Sequence, residues 1–382
     1  MNNVKPIVAH ISHIFFAKPE TFIYHSISNL KQFHPICLCW KIDNLELFPF
    51  PERDLHKISL KYNPFEFYRD LVIKRWNDPQ AKKRAERIIK EKDVRFIHAH
   101  YGYNGYFALN TKKKLNIPLI TTFYGIDISC FPRAKKWKSR FKILFQEGDL
   151  FLVEGEYMKL LLKDLGCPDE KIHIQRIGIP LHKIKYRPRR PKKNNDKVVF
   201  IFGGRFEEKK GLIYALKAVY EVRSKYQNFE FRIIGDGTLR PQIEKFIENH
   251  DMKNYVQMLG FLNYEDYLKE MNNADIFVHP SVKATNGDME GGAPTTILEA
   301  QAMGMPVIST YHADIPNIVV EGKSALLSKE KDYKAIACSM EYLLETQEAW
   351  EQMGSIGREF VETYHNIYNE VDRLEEIYSQ LL

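Results

Sequence analysis

Cysteine is scarce in this chain: five in 382 residues, at Cys37, Cys39, Cys130, Cys167 and Cys338. The number is odd, no two form a C-x-x-C pair, and no zinc-finger spacing occurs. A disulfide scaffold and a zinc ribbon are thereby excluded, and reduced core thiols are expected. No apolar run approaches the roughly 20 residues of a membrane span. The N-terminus lacks a signal-peptide pattern, since Lys5 is followed only by a short apolar patch containing His10 and His13. Low-complexity tracts and short-period repeats are absent. So are the Walker P-loop, the G-x-G-x-x-G fingerprint and any Asp-x-Asp pair, so P-loop hydrolysis, the dinucleotide fingerprint and a metal held by paired aspartates lack their signatures.

What remains is the make-up of an ordinary soluble protein, 44% hydrophobic and 27% charged, in a chain long enough for two cores. The net charge of +7 favours acidic partners: nucleotides, phospholipid head groups or nucleic acid. In the first half, apolar runs at 7–11, 35–40, 94–100, 118–123 and 150–153 read as strands. Amphipathic stretches at 20–30, 65–76, 81–90, 103–115 and 134–146 read as helices. The second half repeats the plan, with strands at 197–202, 231–234, 256–259 and 274–280. Its helices fall at 212–226, 239–249, 264–271, 332–345, 349–365 and 367–382. Such alternation implies parallel strands joined by crossovers, with ligands beyond the strands' carboxyl ends. His98, His100, Tyr124, Asp127 and Glu154 all fall at such ends. Between the halves, residues 187–196 are basic, contain prolines and lack apolar periodicity, which reads as a linker.

One stretch organises the second half: Asp288-Met289-Glu290-Gly291-Gly292-Ala293-Pro294-Thr295, continuing through Glu299 to Gly304-Met305-Pro306-Val307-Ile308. It reads as an acidic loop, a glycine turn, a helix from about 295 to 303, and a buried strand. Pro294 suits the helix start, Gly304 its end. The N-terminus of that helix, facing two glycines, is a ready phosphate site, and Glu299 can reach back toward it. Gly203-Gly204-Arg205, followed by Lys210-Gly211, also joins a strand to a helix. Its glycines permit close backbone approach, and its two cations suit phosphate oxygens or simply a solvated turn. Gly235-Asp236-Gly237 is a tight turn that would border a ligand at the same edge. Glu290 and Glu299 invite acid–base or metal roles, but no metal-ligand partners accompany them in sequence. His98 and His100 share a strand face, yet zinc needs a third ligand and none is near in sequence. Residues 68–76 and 135–143 interleave cations with aromatics. They read as anionic-membrane contacts, nucleic-acid contacts, or surface helices with lysine stems over the core.

In combination and order, Gly203-Gly204-Arg205 to Lys210-Gly211, Gly235-Asp236-Gly237, Ala274-Asp275 to His279-Pro280-Ser281, and Glu290 to Ser309 resemble retaining glycosyltransferase family 4. Asp288-x-Glu290-Gly291 and Glu20-Thr21-Phe22-Ile23 look like its exopolysaccharide, colanic-acid-type branch. The resemblance implies an α/β fold of GT-B type, two Rossmann-like domains facing each other across a cleft. The acceptor domain would cover residues 1–186, the linker 187–196 and the donor domain 197–366, with helix 367–382 packing back on the N-terminal domain. It assigns the donor diphosphate to Arg205 and Lys210, beside Gly204, and the ribose hydroxyls to Glu299. Glu290 and the backbone of Gly291, Gly292, Ala293, Pro294 and Thr295 would meet the donor sugar and distal phosphate, with Gly237 and Leu262 near the base. Tyr124 stands where the family usually has histidine, so Tyr124 and Asp127 join Glu290 as catalytic candidates. One residue more than the usual family spacing separates Glu290 from Glu299.

The activity that follows is transfer of a hexose-type sugar, with retention, from a nucleoside diphosphate sugar to a hydroxyl of a saccharide or lipid-linked acceptor. No cofactor and no metal are expected, the nucleotide sugar serving as co-substrate, and no nucleic-acid partner. The expected location is the cytoplasm, with the inner face of an anionic membrane left open as a docking surface. A same-fold nucleotide-sugar epimerase or phosphorylase and a non-catalytic nucleotide-sugar-binding protein are the rival readings.

Overall fold

The computed structural model describes residues 5–59, 79–193 and 196–382. The helix expected at 65–76, with the basic aromatic stretch it carries, lies outside the described residues, as do Asn194 and Asn195. The chain forms two compact units, Met1–Gly178 completed by Ile367–Leu382, and Ile179–Asn366.

The strands of the first unit are β1 (Ile7–Ile11), β2 (Ile14–Phe15), β3 (His34–Cys39), β4 (Lys41–Ile42), β5 (Leu55–Lys57), β6 (Val94–His100), β7 (Leu119–Thr122), β8 (Leu150–Val153) and β9 (Ile172–Ile174). Seven of them make a parallel sheet in the order β5-β3-β1-β6-β7-β8-β9, and β2 pairs separately with β4. Their near-continuous apolar runs follow from burial on both faces. One face, with Ala9, Ile97, Leu119 and Phe151, packs on Phe107 of the helix Gly102–Leu115 and on Trp137, Phe141 and Phe145 of the helix Lys135–Glu147. The opposite face, with Val8, Phe96, Ile120 and Leu152, meets Leu374, Ile377 and Tyr378 of the last helix, Ile367–Ser379. Strand alternation carries His10, His98, His100 and Thr122 onto this second face.

The second unit holds β10 (Val198–Gly203), β11 (Phe229–Ile234), β12 (Val256–Gly260), β13 (Ile276–Val278), β14 (Val307–Thr310) and β15 (Ala325–Ser328). They form one parallel sheet in the order β12-β11-β10-β13-β14-β15. Counted within each unit, both sheets begin 3-2-1-4-5-6, the doubly wound Rossmann order. The order reverses between β1 and β6 in one unit and between β10 and β13 in the other, where ligands of such sheets bind.

The segment read as a linker is anchored at its start. Arg189 is fully buried; its Nη1 donates to the carbonyls of Arg187 and Met303, both at 2.5 Å, and its Nε donates to Ala274 O at 3.0 Å. Arg187 donates to Asn272 O at 2.8 Å and to Ala274 O at 2.7 Å. The carbonyls of Asn272, Ala274 and Met303 end the helices Tyr264–Asn273 and Thr295–Ala302, where intrahelical donors run out. Composition alone cannot tell an arginine that caps helix ends from one in solvent.

Candidate functional site

The carboxyl edge of the second sheet gathers most of the expected donor residues. Gly203-Gly204-Arg205 leaves β10, Gly235-Asp236-Gly237 leaves β11, and Phe261-Leu262 leaves β12, with Gly235 N donating to Gly260 O at 2.8 Å. Two glycines are obligatory here. A Cβ on Gly211 (φ +67°) would lie 1.8 Å from Pro280 O, and one on Gly235 (φ +134°) 1.9 Å from Gly204 O. The β10 loop is therefore pressed against both the loop after β13 and the turn after β11. The helix Thr295–Ala302 begins after Pro294, whose carbonyl takes the first intrahelical bonds from Ile297 and Leu298. The amides of Thr295 and Thr296 thus lie at the open, positive helix end. Thr296 Oγ1 is buried without a partner among the described residues.

Glu290 lies at the centre of a polar network. Its Oε2 accepts from Lys210 Nζ at 2.8 Å and its Oε1 from Ser281 Oγ at 2.8 Å, with His279 Nε2 at 3.4 Å. Its backbone N–H donates to His312 Nε2 at 3.1 Å, and His312 Nδ1 faces Glu330 Oε1 at 2.6 Å. That pairing fixes the tautomer: the proton sits on Nδ1, leaving Nε2 to accept. Burial pushes the Glu290 carboxyl up, but Lys210, then His279 and Lys209, outweigh it and hold it well below the usual carboxylate range. Burial keeps His279 neutral, so its Nε2–H donates to Glu290 while its Nδ1 has no partner among the described residues. Glu290 is thus held through its carboxylate from the loops after β10 and β13 and through its backbone N–H from the loop after β14. Arg205 is half exposed at 51% and paired with Glu207 at 2.7 Å.

Glu299 is 7% exposed, and both its oxygens are occupied. Tyr264 Oη donates to Oε1 at 3.0 Å and Tyr267 Oη to Oε2 at 2.7 Å. Burial raises the Glu299 carboxyl to about 7, against the lowering effect of the two hydroxyls. The tyrosines share one face of the helix Tyr264–Asn273, which Asn263 caps by accepting from Asp266 N at 2.9 Å. Sequence reasoning missed Tyr264, Tyr267, His312 and Glu330. The i, i+3 tyrosines at a capped helix start were the one available signal.

In the first unit, Tyr124 and Asp127 sit beyond β7. Asp127 is fully buried, its Oδ2 accepting from Gly102 N at 2.7 Å and its Oδ1 from Tyr124 N at 2.9 Å. Burial raises its carboxyl to about 6, against those backbone donors. Both oxygens thus tie the turn to the start of the helix Gly102–Leu115. Tyr124 Oη lies 2.6 Å from His100 Nδ1. The strand exits beside it are strained, with Phe16 at φ +68° and Tyr101 at φ +71°, and Tyr101 Oη donates to Glu20 Oε1 at 2.7 Å. In the basic helix Lys135–Glu147, Trp137 and Phe141 are buried core residues, so its outer face is cationic without the expected aromatic anchors. No helix among the described residues is long and apolar enough to cross a membrane.

Two parallel-sheet, Rossmann-like units define the GT-B class of folds. HepE of Anabaena, solved in complex with UDP, superposes with a TM-score of 0.80 at 14% identity over 98% of this chain and 100% of that one. The Glycosyltransferase Family 4 model matches residues 47–183 and the Glycosyl transferases group 1 model residues 184–360. AmsK of Erwinia amylovora, an amylovoran biosynthesis glycosyltransferase, is 32% identical over 284 residues, 74% of this chain and 69% of that protein. The chain belongs to this glycosyltransferase family. It is also 34% identical over 244 residues to WcaL of Salmonella typhimurium, a protein named for colanic acid biosynthesis, matching 63% of this chain and 59% of that relative's length.

Proposed function

We propose that this protein is a retaining glycosyltransferase of exopolysaccharide or glycolipid biosynthesis, using a uridine diphosphate sugar as donor. The observation that carries the reading is the convergence at one sheet edge of Lys210, the buried Glu290, the buried Glu299 and the open N-terminus of the helix Thr295–Ala302. The names of AmsK and WcaL support the polysaccharide context, and HepE, also solved with UDP and glucose, supports the uridine donor.

In the reaction, the bond between the sugar's anomeric carbon and the diphosphate oxygen breaks. The acceptor oxygen bonds to that carbon on the same face, and its proton passes to the departing phosphate. Negative charge grows on the diphosphate, where Arg205, Lys210 and the helix end stabilise it without a metal. Glu290 orients the sugar hydroxyls and Glu299 holds the ribose. Asp127 keeps the turn at Tyr124 in shape. The outer face of the helix Lys135–Glu147, with Lys135, Lys136, Lys138 and Lys142 exposed, rests on an anionic membrane that carries a lipid-linked acceptor.

Arg205→Ala tests the assignment cleanly. The side chain is exposed, and its surface ion pair is worth less than about 1 kcal/mol, so the melting temperature should hold. Release of UDP in the presence of an oligosaccharide-lipid acceptor should fall by roughly 100-fold or more. Undiminished turnover would remove Arg205 from the diphosphate, and with it this reading.

A further inference from the structure

One cluster of ligating side chains stands outside the donor edge. His10 on β1 and His98 on β6 are paired partners in neighbouring parallel strands, and His100 lies two residues further on the same face. Among the described residues they are the group that could hold a metal ion: one ring nitrogen from each lies within 4.8 Å of the other two. All three are buried, at 0%, 2% and 2% exposure. They sit where the strand order of the first unit reverses.

Their surroundings are those of ligands. His98 Nδ1 lies 2.6 Å from Tyr378 Oη, and His100 Nδ1 lies 2.6 Å from Tyr124 Oη. Each ring is thus oriented through one nitrogen, as a metal-bound histidine is by its outer contact. The other nitrogen of His100 is 3.0 Å from His10 Nδ1. His10 Nδ1 is thus the nitrogen that faces the other two rings, and His10 Nε2, buried with no hydrogen-bond partner among the described residues, points away from them. Beside the cluster opens a small cavity of about 30 Å³, lined by the three histidines and by Glu154, Gln175 and Arg176. That is room for one water or one ion.

We propose that His10, His98 and His100 form a binding site for one divalent transition cation, zinc by the chemistry of three imidazoles, with its fourth position open to the cavity beside Glu154. The protons balance without any co-reactant. Each imidazole keeps its single proton on the nitrogen away from the ion, so His98 and His100 donate from Nδ1 to Tyr378 and Tyr124. Thr122 Oγ1, now 2.7 Å from His98 Nε2, is the group that gives way. The ion would tie β1 to β6. Metal content rather than turnover is the readout.

The test uses the untagged full chain, stripped with a chelator, exposed to micromolar zinc and passed over a desalting column. One zinc per chain is expected by elemental analysis, with a raised melting temperature. The cobalt-loaded chain should show the visible absorption of a four-coordinate site. His10→Gln and His100→Gln should each lower the zinc content below about a tenth per chain. A folded, stripped wild-type chain that takes up no zinc would overturn the site, and this measurement needs no variant to fold. Full zinc content in both glutamine variants would overturn it equally.

Discussion

Replacing Glu299 by glutamine should weaken UDP binding and remove part of its pH dependence. An ionised carboxylate offers roughly four acceptor positions. Tyr264 and Tyr267 take one on each oxygen, at 3.0 and 2.7 Å, which leaves one on each for the vicinal ribose hydroxyls. Hydrogen bonds to a charged group are worth about 1.5–3 kcal/mol each. Glutamine has one oxygen, and its amide turns donors toward one tyrosine and one ribose hydroxyl. A net loss of about 2–4 kcal/mol follows, a roughly 30- to 700-fold rise in Kd at pH 8. With its carboxyl at about 7, Glu299 is roughly 9% ionised at pH 6 and roughly 91% at pH 8. Wild-type affinity should therefore gain up to about tenfold across that interval relative to Glu299→Gln, in which only the nucleotide's own phosphate titrates. Stability runs the other way. A carboxyl raised from 4.5 to about 7 by folding contributes fully below 4.5 and loses that contribution as pH rises through 7. The variant should thus gain on the wild type between pH 5 and pH 8, by up to about 3 kcal/mol. Isothermal titration with UDP at three pH values, with denaturant melts alongside, measures both. Binding by Glu299→Gln within about threefold of wild type at pH 8, against the roughly 30-fold minimum, would refute the ribose role.

Lys210→Met strands the buried Glu290 carboxylate and should cost about 3–5 kcal/mol of stability, most of it recovered in Lys210→Met/Glu290→Gln; urea melts compare the two. Asp127→Ala leaves the buried amides of Gly102 and Tyr124 without their acceptor, at about 1–3 kcal/mol each, whereas Asp127→Asn keeps an oxygen and should lose less than half as much. Because folding raises the Asp127 carboxyl to about 6, its contribution is complete below its free-chain value and fades as pH climbs through 6, so the wild-type advantage over Asp127→Asn should shrink between pH 4 and pH 7.

The doubly wound sheets were legible because strands buried on both faces leave continuous apolar runs. The helix Thr295–Ala302 was legible from Pro294 before it and Gly304 after it. The three-residue strands β5 and β9 were not, since so short a run takes its pairing from neighbours supplied elsewhere in the chain. At the site, motif residues such as Lys210, Glu290 and Glu299 could be read, but the groups that set their chemistry could not. Tyr264 and Tyr267 read as the surface of an amphipathic helix until the fold turns their hydroxyls onto a carboxylate. His312 reaches Glu290 only because β14 lies next to β13. His10 was visible as one histidine in an apolar patch, and only the pairing of β1 with β6 makes it the third imidazole beside His98 and His100.

The last helix has a consequence for how the protein is made. Leu374, Ile377 and Tyr378 cover Val8, Phe33, Phe96, Ile120 and Leu152, and Glu375 Oε1 accepts from the backbone of Lys31 and Gln32, both at 2.6 Å. One face of the first sheet is thus covered by residues that follow the whole second unit in chain order. On the ribosome the second unit can close on its own contiguous stretch of chain, while the unit begun first waits with an apolar sheet face uncovered until the helix Ile367–Ser379 has emerged. Emergence of that helix, rather than of its own strands, completes the first unit.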